Sequence, residues 1–600
     1  MALEYSVIVN NETTLKAEEG QNLLELLRSN NINISSPCGG KKSCGKCKLR
    51  VLNGGTKISD SEGSFLSENE IKNGYRLACF ISVHNDLSIE LLEEEAIKVM
   101  TDSLDIELSF NPSLKLYSFL KEEIDSEESC TYLDFLYNKS TTNNIDLSTI
   151  KNLSEIIDEE LISCIAYDSK ILKVSKEKIE KLYGLAVDIG TTTVALYLID
   201  LLTGKEIDVY SFHNPQKKYG ADVISRINYT QEARKVLELQ EEIISALNKA
   251  ILEICYKNNI ERDDIYQASI VGNTVMIHFL LGVKADSIAR APYRPILTNS
   301  MELSASELNL SINPDGMIQL LPAISAYLGS DITADLLVTD FNTDEWNLLI
   351  DIGTNGEIVL GNKDRLLACA TAAGPAFEGA KITFGMAGVP GAISKFKISQ
   401  EKDFIYETID SIEAKGICGS ALIDIVGEFV ENEIITRTGS FNNSMDEKFL
   451  QYMTEYQNME AIKIASFNSN YLQSDSMDES ILITQKDIRE LQLAKGAIAA
   501  GINILLKEAG IDYSKINNIY IAGGFGSFIN PVNACKIGLL PEKMQVKVVK
   551  IGNGAGLGAK ACLYDKEQLV RAEEITNKLE YLELSLRSDF QEEFIKSLDF

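Results

Sequence analysis

Six hundred residues are too many for one compact domain; at roughly 100–200 residues per domain the chain holds several. An apolar fraction of 45% with 24% charged residues is globular composition and excludes a disordered or fibrous chain. The formal charge of −31 argues against broad contact with nucleic acid or an anionic membrane surface. No apolar run approaches the length of a membrane span, and MALEYSVIVNNETT lacks the basic and apolar regions of a secretory signal, so a cytoplasmic protein is expected.

The chain opens with a predicted hairpin, residues 4–10 and 13–17, turning at Asn10-Asn11. QNLLELLRSNN follows as a short amphipathic helix, and CKLRVLNGG and ISVHNDLSIELL read as further strands. Seven of the eleven cysteines (Cys130, Cys164, Cys255, Cys369, Cys418, Cys535, Cys562) are scattered and read as small apolar residues. The other four crowd the first 80 residues as Cys38-x5-Cys44-x2-Cys47, with Cys79 further on. Structural zinc usually takes two C-x2-C hooks, and only one is present. A 2Fe-2S cluster takes three cysteines from one wrapped loop and a fourth from a distant strand, which this spacing matches with one residue more than the plant-type C-x4-C-x2-C. Gly39, Gly40 and Gly45 allow backbone N–H groups to turn toward bridging sulfides. The pattern favours the 2Fe-2S cluster over structural zinc or unliganded thiols. These strands around one helix, with the cysteine loop after it, resemble the β-grasp fold of plant- and adrenodoxin-type ferredoxins over about residues 1–95. Residues 26–59 hold no acid, while Lys41, Lys42, Lys46, Lys48 and Arg50 crowd the loop. This basic collar is a solvated edge, a docking face for an acidic partner, or a means of raising the cluster potential.

An acidic stretch around residues 98–108 reads as a linker, and 109–182 as a small α/β middle domain. Within it NLSEIIDEELISCI has helical spacing, and AYDSKILKVSKEKIEKLYG reads as two strands and a turn.

The remainder contains an internal repeat. LAVDIGTTTVALYLID and LLIDIGTNGEIVLGN are each an apolar strand, Asp-Ile-Gly-Thr, a polar turn and a second apolar strand. Asp188 and Asp351 stand 163 positions apart, about one domain length. An aspartate at a strand end can hold Mg2+ through water. Gly190 or Gly353 lets a phosphate approach the backbone, and Thr191, Thr192 and Thr354, with Asn355 and Gly356 beside them, supply hydroxyl and N–H groups. YIAGGFGSF adds a strand and the cluster Gly523, Gly524, Phe525 and Gly526, against which an adenine and ribose could lie. There is no G-x-x-x-x-G-K-[ST] loop. GNGAGLG at 552–558 superficially suggests a dinucleotide fingerprint, but no strand follows to complete the unit, so helix packing on glycines is the expected role. Among the three histidines, His84 and His278 read as structural and His213 as a turn neighbour; Glu357 and Glu378 are further candidates near the phosphates.

The three motifs in this order resemble the actin/Hsp70/sugar-kinase ATPase superfamily over about residues 183–565. Asp188–Thr192 match its first phosphate motif, Asp351–Glu357 the second and Gly523–Gly526 the adenosine motif, with 270–282 and 552–558 in the places of the connecting helices. The fold class expected is therefore multidomain: a β-grasp 2Fe-2S ferredoxin domain at 1–97, a small α/β middle domain, a duplicated actin-like (ribonuclease H-like) ATPase of two lobes at 183–565, and a helical segment at 566–600.

A ferredoxin domain fused to such an ATPase resembles the reductive activators of corrinoid proteins. NPQKKYGADVISRI, GPAFEGAKITFGMAG and KGICGSALIDIV fit the same family. The resemblance implies ATP-driven one-electron reduction of a corrinoid methyl carrier from Co(II) to Co(I). It implies iron ligation by Cys38, Cys44, Cys47 and Cys79, and organisation of Mg2+ and the attacking water by Asp188 and Asp351. The partners implied are the corrinoid protein, an upstream donor such as a reduced ferredoxin or reductase, and a second copy in a homodimer. The alternatives are an ATP-driven donor to another low-potential metalloenzyme and a binding protein that senses nucleotide and redox state.

Overall fold

The structure is a computed structural model that describes residues 4–600 apart from 31, 33, 35, 37–39, 43–44, 67, 92–108, 127–130, 221, 354, 375, 380, 467–479, 525 and 542–547. The expected linker at 98–108 lies outside the described residues. The chain divides into two compact units. One comprises residues 1–97, 213–243 and 278–293; the other comprises 98–212, 244–277 and 294–600.

In the first unit, Glu4–Val9 and Thr13–Glu18 form the expected hairpin. Asn10 and Asn11 turn with φ of 52° and 57°, a conformation asparagine tolerates better than most side chains. The five-stranded sheet has the order Thr13–Glu18, Glu4–Val9, Leu87–Leu91, Lys48–Asn53, Tyr75–Leu77. Glu4–Val9 and Leu87–Leu91 run parallel and the other neighbours antiparallel. The helix Leu23–Ser29 buries Leu23, Leu24, Leu26 and Leu27 in the same core as Val7, Leu49, Leu77 and Ile89. A mixed sheet closed by one helix is the β-grasp arrangement. The unit also holds the 3-10 turn Pro215–Tyr219 and the helix Val223–Tyr229, where Tyr219 packs on Tyr229 at 4.5 Å between ring centroids.

In the second unit a four-stranded sheet runs Leu114–Leu120, Leu161–Tyr167, Lys170–Ser175, Asn144–Ile145, with the helices Tyr132–Ser140 and Leu147–Ile156. The helical spacing of NLSEIIDEELISCI misled at its end: the helix stops at Ile156, and Leu161–Tyr167 is a strand buried along almost its whole length. A strand covered on both faces reads as continuous apolar sequence and mimics a helical face.

Two six-stranded sheets carry the repeat. The first has the order Lys205–His213, Thr193–Asp200, Tyr183–Ile189, Ile265–Gly272, Met317–Leu320, Met301–Ser304. The second has the order Val548–Gly552, Ile516–Ala522, Trp346–Ile352, Gly356–Gly361, Leu366–Thr371, Leu579–Tyr581. Each has an antiparallel hairpin, a third strand beyond its second arm, and two later strands parallel to its first arm. Long helices, Ala233–Asn258 and Gln485–Ala509, occupy equivalent places between the third and fourth strands. Ser330–Leu337 and Gly554–Tyr564 then close the halves, each after its last parallel strand. The duplicated actin-like architecture is thus present in both halves.

Two details differ from the sequence reading. Segment 270–282 is not all helix: Ile265–Gly272 is a strand and Thr274–Leu280 the helix after it. Residues 566–600 hold the helices Glu567–Lys578 and Phe590–Lys596, and between them Leu579–Tyr581, which adds an edge strand parallel to Leu366–Thr371. GNGAGLG opens the helix Gly554–Tyr564 and packs it tightly, since a Cβ on Gly558 would lie 2.2 Å from the Ala334 carbonyl oxygen. No helix among the described residues is long and apolar enough to cross a membrane.

Candidate functional site

Two places carry the chemistry. The first is the cysteine site. Cys47 immediately precedes the strand Lys48–Asn53, and Cys79 sits in the 3-10 turn Ala78–Phe80 after Tyr75–Leu77. The antiparallel ladder between these strands continues through Ala78 N–H donating to Cys47 O at 2.9 Å, which sets the two cysteines opposite each other. Their sulfurs lie 3.3 Å apart and almost fully buried, well beyond a disulfide bond of about 2.05 Å. Asn22 fixes this turn from the other side. Its side-chain oxygen caps the helix Leu23–Ser29 by accepting from Leu24 and Glu25 N–H, and its amide donates to Cys79 O at 2.9 Å. Arg76 and Glu62 form a buried two-pronged ion pair at 2.8 and 2.7 Å, and Glu62 also accepts from Leu77 N–H. The strand leading to Cys79 is therefore anchored by charge as well as by its ladder. Cys38 and Cys44 lie outside the described residues.

Two buried sulfurs held face to face by a ladder and a cap suit soft metal chemistry, and the donor set fits an iron–sulfur cluster. The basic collar is partly neutralised: Lys48 pairs with Glu70, and Arg50 with Glu90. Lys42 lies 5.1 Å from the centre of the Phe80 ring.

The second place is built on the repeat. In the first hairpin Asp188 pairs across the ladder with Ala195; in the second Asp351 pairs with Glu357, so those two carboxyls share a face. The turns differ by one residue, four between Ile189 and Val194 but three between Ile352 and Gly356. Gly190 is required by its own turn, where a Cβ would meet Thr193 O at 2.6 Å; around Gly353 nothing comes nearer than 3.8 Å. Thr354 and Phe525 lie outside the described residues. The third motif meets the second hairpin directly. Gly523 has φ of 88°, and a Cβ there would lie 2.4 Å from Asp351 Oδ1. Gly524 faces open space, whereas Gly526 packs back on Ile521. Thr191 accepts a hydrogen bond from the Asn273 amide at 2.9 Å.

Electrostatically these groups form one cluster with two further acids. Burial pushes the Asp188 carboxyl up to about 7, with Asp331 and Asp351 adding to the rise and a hydrogen bond from Asn553 opposing it. Burial likewise holds Asp331 up to about 6, against donors from its own helix start. Asp351, Asp335 and Glu357 are all raised, first by burial and then by one another's or Asp331's charge. Asp335 is fully buried, and neither oxygen accepts a hydrogen bond from a normal donor; its contact with Asp351 bonds only if one of the two keeps a proton. Such a group keeps its proton unless positive charge comes near it. Among the described residues no three His, Cys, Asp or Glu side chains converge closely enough to ligate one ion directly. The acids therefore fit a hydrated cation such as Mg2+, which keeps several of its waters.

Known proteins match this chain along its length. Residues 7–84 match the family model of the 2Fe-2S iron-sulfur cluster binding domain, 183–344 that of the RACo middle region, and 345–600 that of the C-terminal, ASKHA domain of RACo. The corrinoid activation enzyme RamQ of Eubacterium limosum is 34% identical over 577 residues, 94% of this chain and 93% of that protein. The chain belongs to the family of corrinoid activation enzymes. A solved structure titled reductive activator for corrinoid, iron-sulfur protein aligns with a TM-score of 0.74 at 33% identity, covering 100% of this chain and 98% of that one. The Co(II) methylated amine-specific corrinoid protein reductase of Methanosarcina barkeri is 25% identical over 441 residues, 70% of this chain and 77% of that protein.

In this activator the sequence reading brought Asp188, Asp351 and Glu357 to one place but missed Asp331, Asp335, Asn273 and Asn553. Asp331 in the first turn and Asp335 near the end of the helix Ser330–Leu337 stand four residues apart, so they share its face. That spacing beside Gly329 was a usable signal. Glu378 lies half-buried after Leu366–Thr371. His278 is fully buried in its helix, and His84 pairs at the surface with Glu19.

Proposed function

We propose that this protein reactivates a corrinoid protein by one-electron reduction of its cobalt from Co(II) to Co(I), driven by ATP hydrolysis. Carrying the reading is the union, in one chain of this family, of paired buried cysteines on a β-grasp sheet with two acid-bearing hairpins on duplicated sheets. In this reading residues 1–97 carry the 2Fe-2S cluster on Cys38, Cys44, Cys47 and Cys79, and 183–565 bind ATP. When bound, the cluster supplies one-electron chemistry at low potential.

The residues divide the work. Cys47 and Cys79 present two thiolates, with Asn22 holding the Cys79 turn. Gly190, Thr191 and Thr192 in one hairpin and Gly353, Thr354, Asn355 and Gly356 in the other would bind the phosphates. Gly523, Gly524, Phe525 and Gly526 would take the adenosine, and the open space over Gly524 supports that placement. Asp188 and Asp351 would hold a hydrated Mg2+, and Asp351, raised by burial, would orient the attacking water and take its proton. ATP is needed because a one-electron mismatch costs about tenfold per 59 mV, which a cluster alone cannot overcome. An upstream low-potential donor, a reduced ferredoxin or reductase, supplies the electron.

The test is a titration of ATPase activity with a Co(II) corrinoid protein under reducing conditions. Stimulated turnover by a brown protein with about two irons per chain is expected. A colourless protein holding stoichiometric zinc, or turnover indifferent to the corrinoid protein, would overturn the reading.

A further inference from the structure

Asn553 uses both ends of its side-chain amide. Its oxygen accepts from Gly556 N–H at 2.8 Å and caps the helix Gly554–Tyr564. Its nitrogen donates to Tyr197 OH at 3.1 Å, and the same amide lies near enough to the Asp188 carboxyl to oppose the rise that burial gives it. Asp188 and Tyr197 lie on one face of the first hairpin, because Asp188 pairs with Ala195 and Tyr197 is two residues further along. The helix is bare where it meets that face: a Cβ on Gly556 would lie 2.6 Å from the Tyr197 ring. One turn later Lys560 sits 4.7 Å from the same ring's centre.

Asn553 thus belongs to the closing helix of the second half yet holds the carboxylate of the first. Its position follows from the second sheet. Gly552 pairs with Ala522 in the parallel ladder, and Ala522 leads into Gly523, which touches Asp351. The strand pair that leads into the adenosine motif therefore also places the Asn553 amide beside Tyr197 and Asp188.

We propose that Asn553 is a positioning residue for Asp188: it orients the carboxylate that receives the hydrated cation and ties that orientation to the strand pair carrying the adenosine motif. The proposal rests on the nucleotide reading above. An ordinary helix cap would need only the oxygen, and the nitrogen would face solvent. Here the nitrogen is spent on Tyr197 of the other half, on the face that also carries the half-buried Asp188.

The test separates cap from donor. Asn553→Ser and Asn553→Gly keep a serviceable cap but remove the amide donor. Tyr197→Phe leaves the cap alone and frees the amide from its second tie. Calorimetry on the full chain with Mg·ADP, and with ADP in excess chelator, is read beside thermal unfolding. Asn553→Ser and Asn553→Gly should bind Mg·ADP at least tenfold more weakly than wild type while metal-free ADP binding stays within twofold and unfolding shifts little. Tyr197→Phe should move the same way by a smaller factor, and it carries the test if the Asn553 variants do not fold. Mg·ADP affinity unchanged in every folded variant, or metal-free ADP weakened by the same factor, would overturn the role. A wild type that gains nothing from Mg2+ would defeat the nucleotide reading itself, and this proposal with it.

Discussion

The two hairpins share the letters Asp-Ile-Gly-Thr and the same place in their sheets, yet they meet opposite surroundings. Asp188 faces Ala195 across its ladder and receives an amide from the helix that closes the other half. Asp351 faces Glu357 across its ladder and meets Asp335, whose oxygens find no ordinary donor, from the helix that closes the first half. The crossing is reciprocal, hairpin of one half to helix of the other, and both carboxyls are raised to about 7, but the first has an amide beside it where the second meets further acids. The two hairpins share a backbone and differ in the side chains around it.

The largest expected effect breaks the symmetry by removing each acid in turn. Asp188→Ala and Asp351→Ala should both lower ATP turnover by about a hundredfold or more, as loss of a preorganised charge does, with the visible spectrum of the cluster unchanged. Their effects on the cation-free fold should differ in size. Asp188→Ala removes a raised carboxyl but also a neighbour of the Asn553 amide, which keeps Tyr197 as its partner, and should change stability little. Asp351→Ala relieves both Asp335 and Glu357 and should be stabilising. Denaturant unfolding in chelator reads both, and changes of equal size would erase the distinction.

A smaller effect is in the pH dependence of stability. Burial holds Asp188 up to about 7 and Asp331 up to about 6. Between their ordinary values near about pH 4 and these raised ones, the folded protein binds protons that the unfolded chain has released. Stability without cation should therefore fall as pH rises through that window and level off above it. Mg2+ substitutes for the protons and should flatten the slope. An equal slope with saturating Mg2+ would contradict a cation site among these acids.

These acids also mark what the sequence could and could not reveal. The repeat and the Asn10-Asn11 hairpin were legible because each depends on neighbours in sequence. Asp331 and Asp335 were not singled out, since charged residues on a helix ordinarily lie on its solvated face. The glycine-lined packing of two helices from different halves buries Asp335, which a Cβ on Gly554 would meet at 2.2 Å. Asn553 reads as a plain cap for the same reason, its second partner lying 365 residues earlier. Segment 270–282 misled because Ile270 and Val271 end a buried strand whose sequence is as apolar as the helix after it.

The smallest effect separates the two turn glycines. Gly190→Ala forces a Cβ within 2.6 Å of Thr193 O and should destabilise the fold with or without nucleotide. Gly353→Ala meets nothing nearer than 3.8 Å and should leave thermal unfolding of the empty protein unchanged while weakening nucleotide binding. Loss of fold stability in Gly353→Ala would show that the second turn is as constrained as the first.

The most direct measurement is the visible spectrum of a Co(II) corrinoid protein mixed with this protein and a low-potential reductant, with and without ATP. Conversion to Co(I) that requires both ATP and the intact cysteine site is the predicted result. Conversion that proceeds equally without ATP, or none under any condition, would contradict the account.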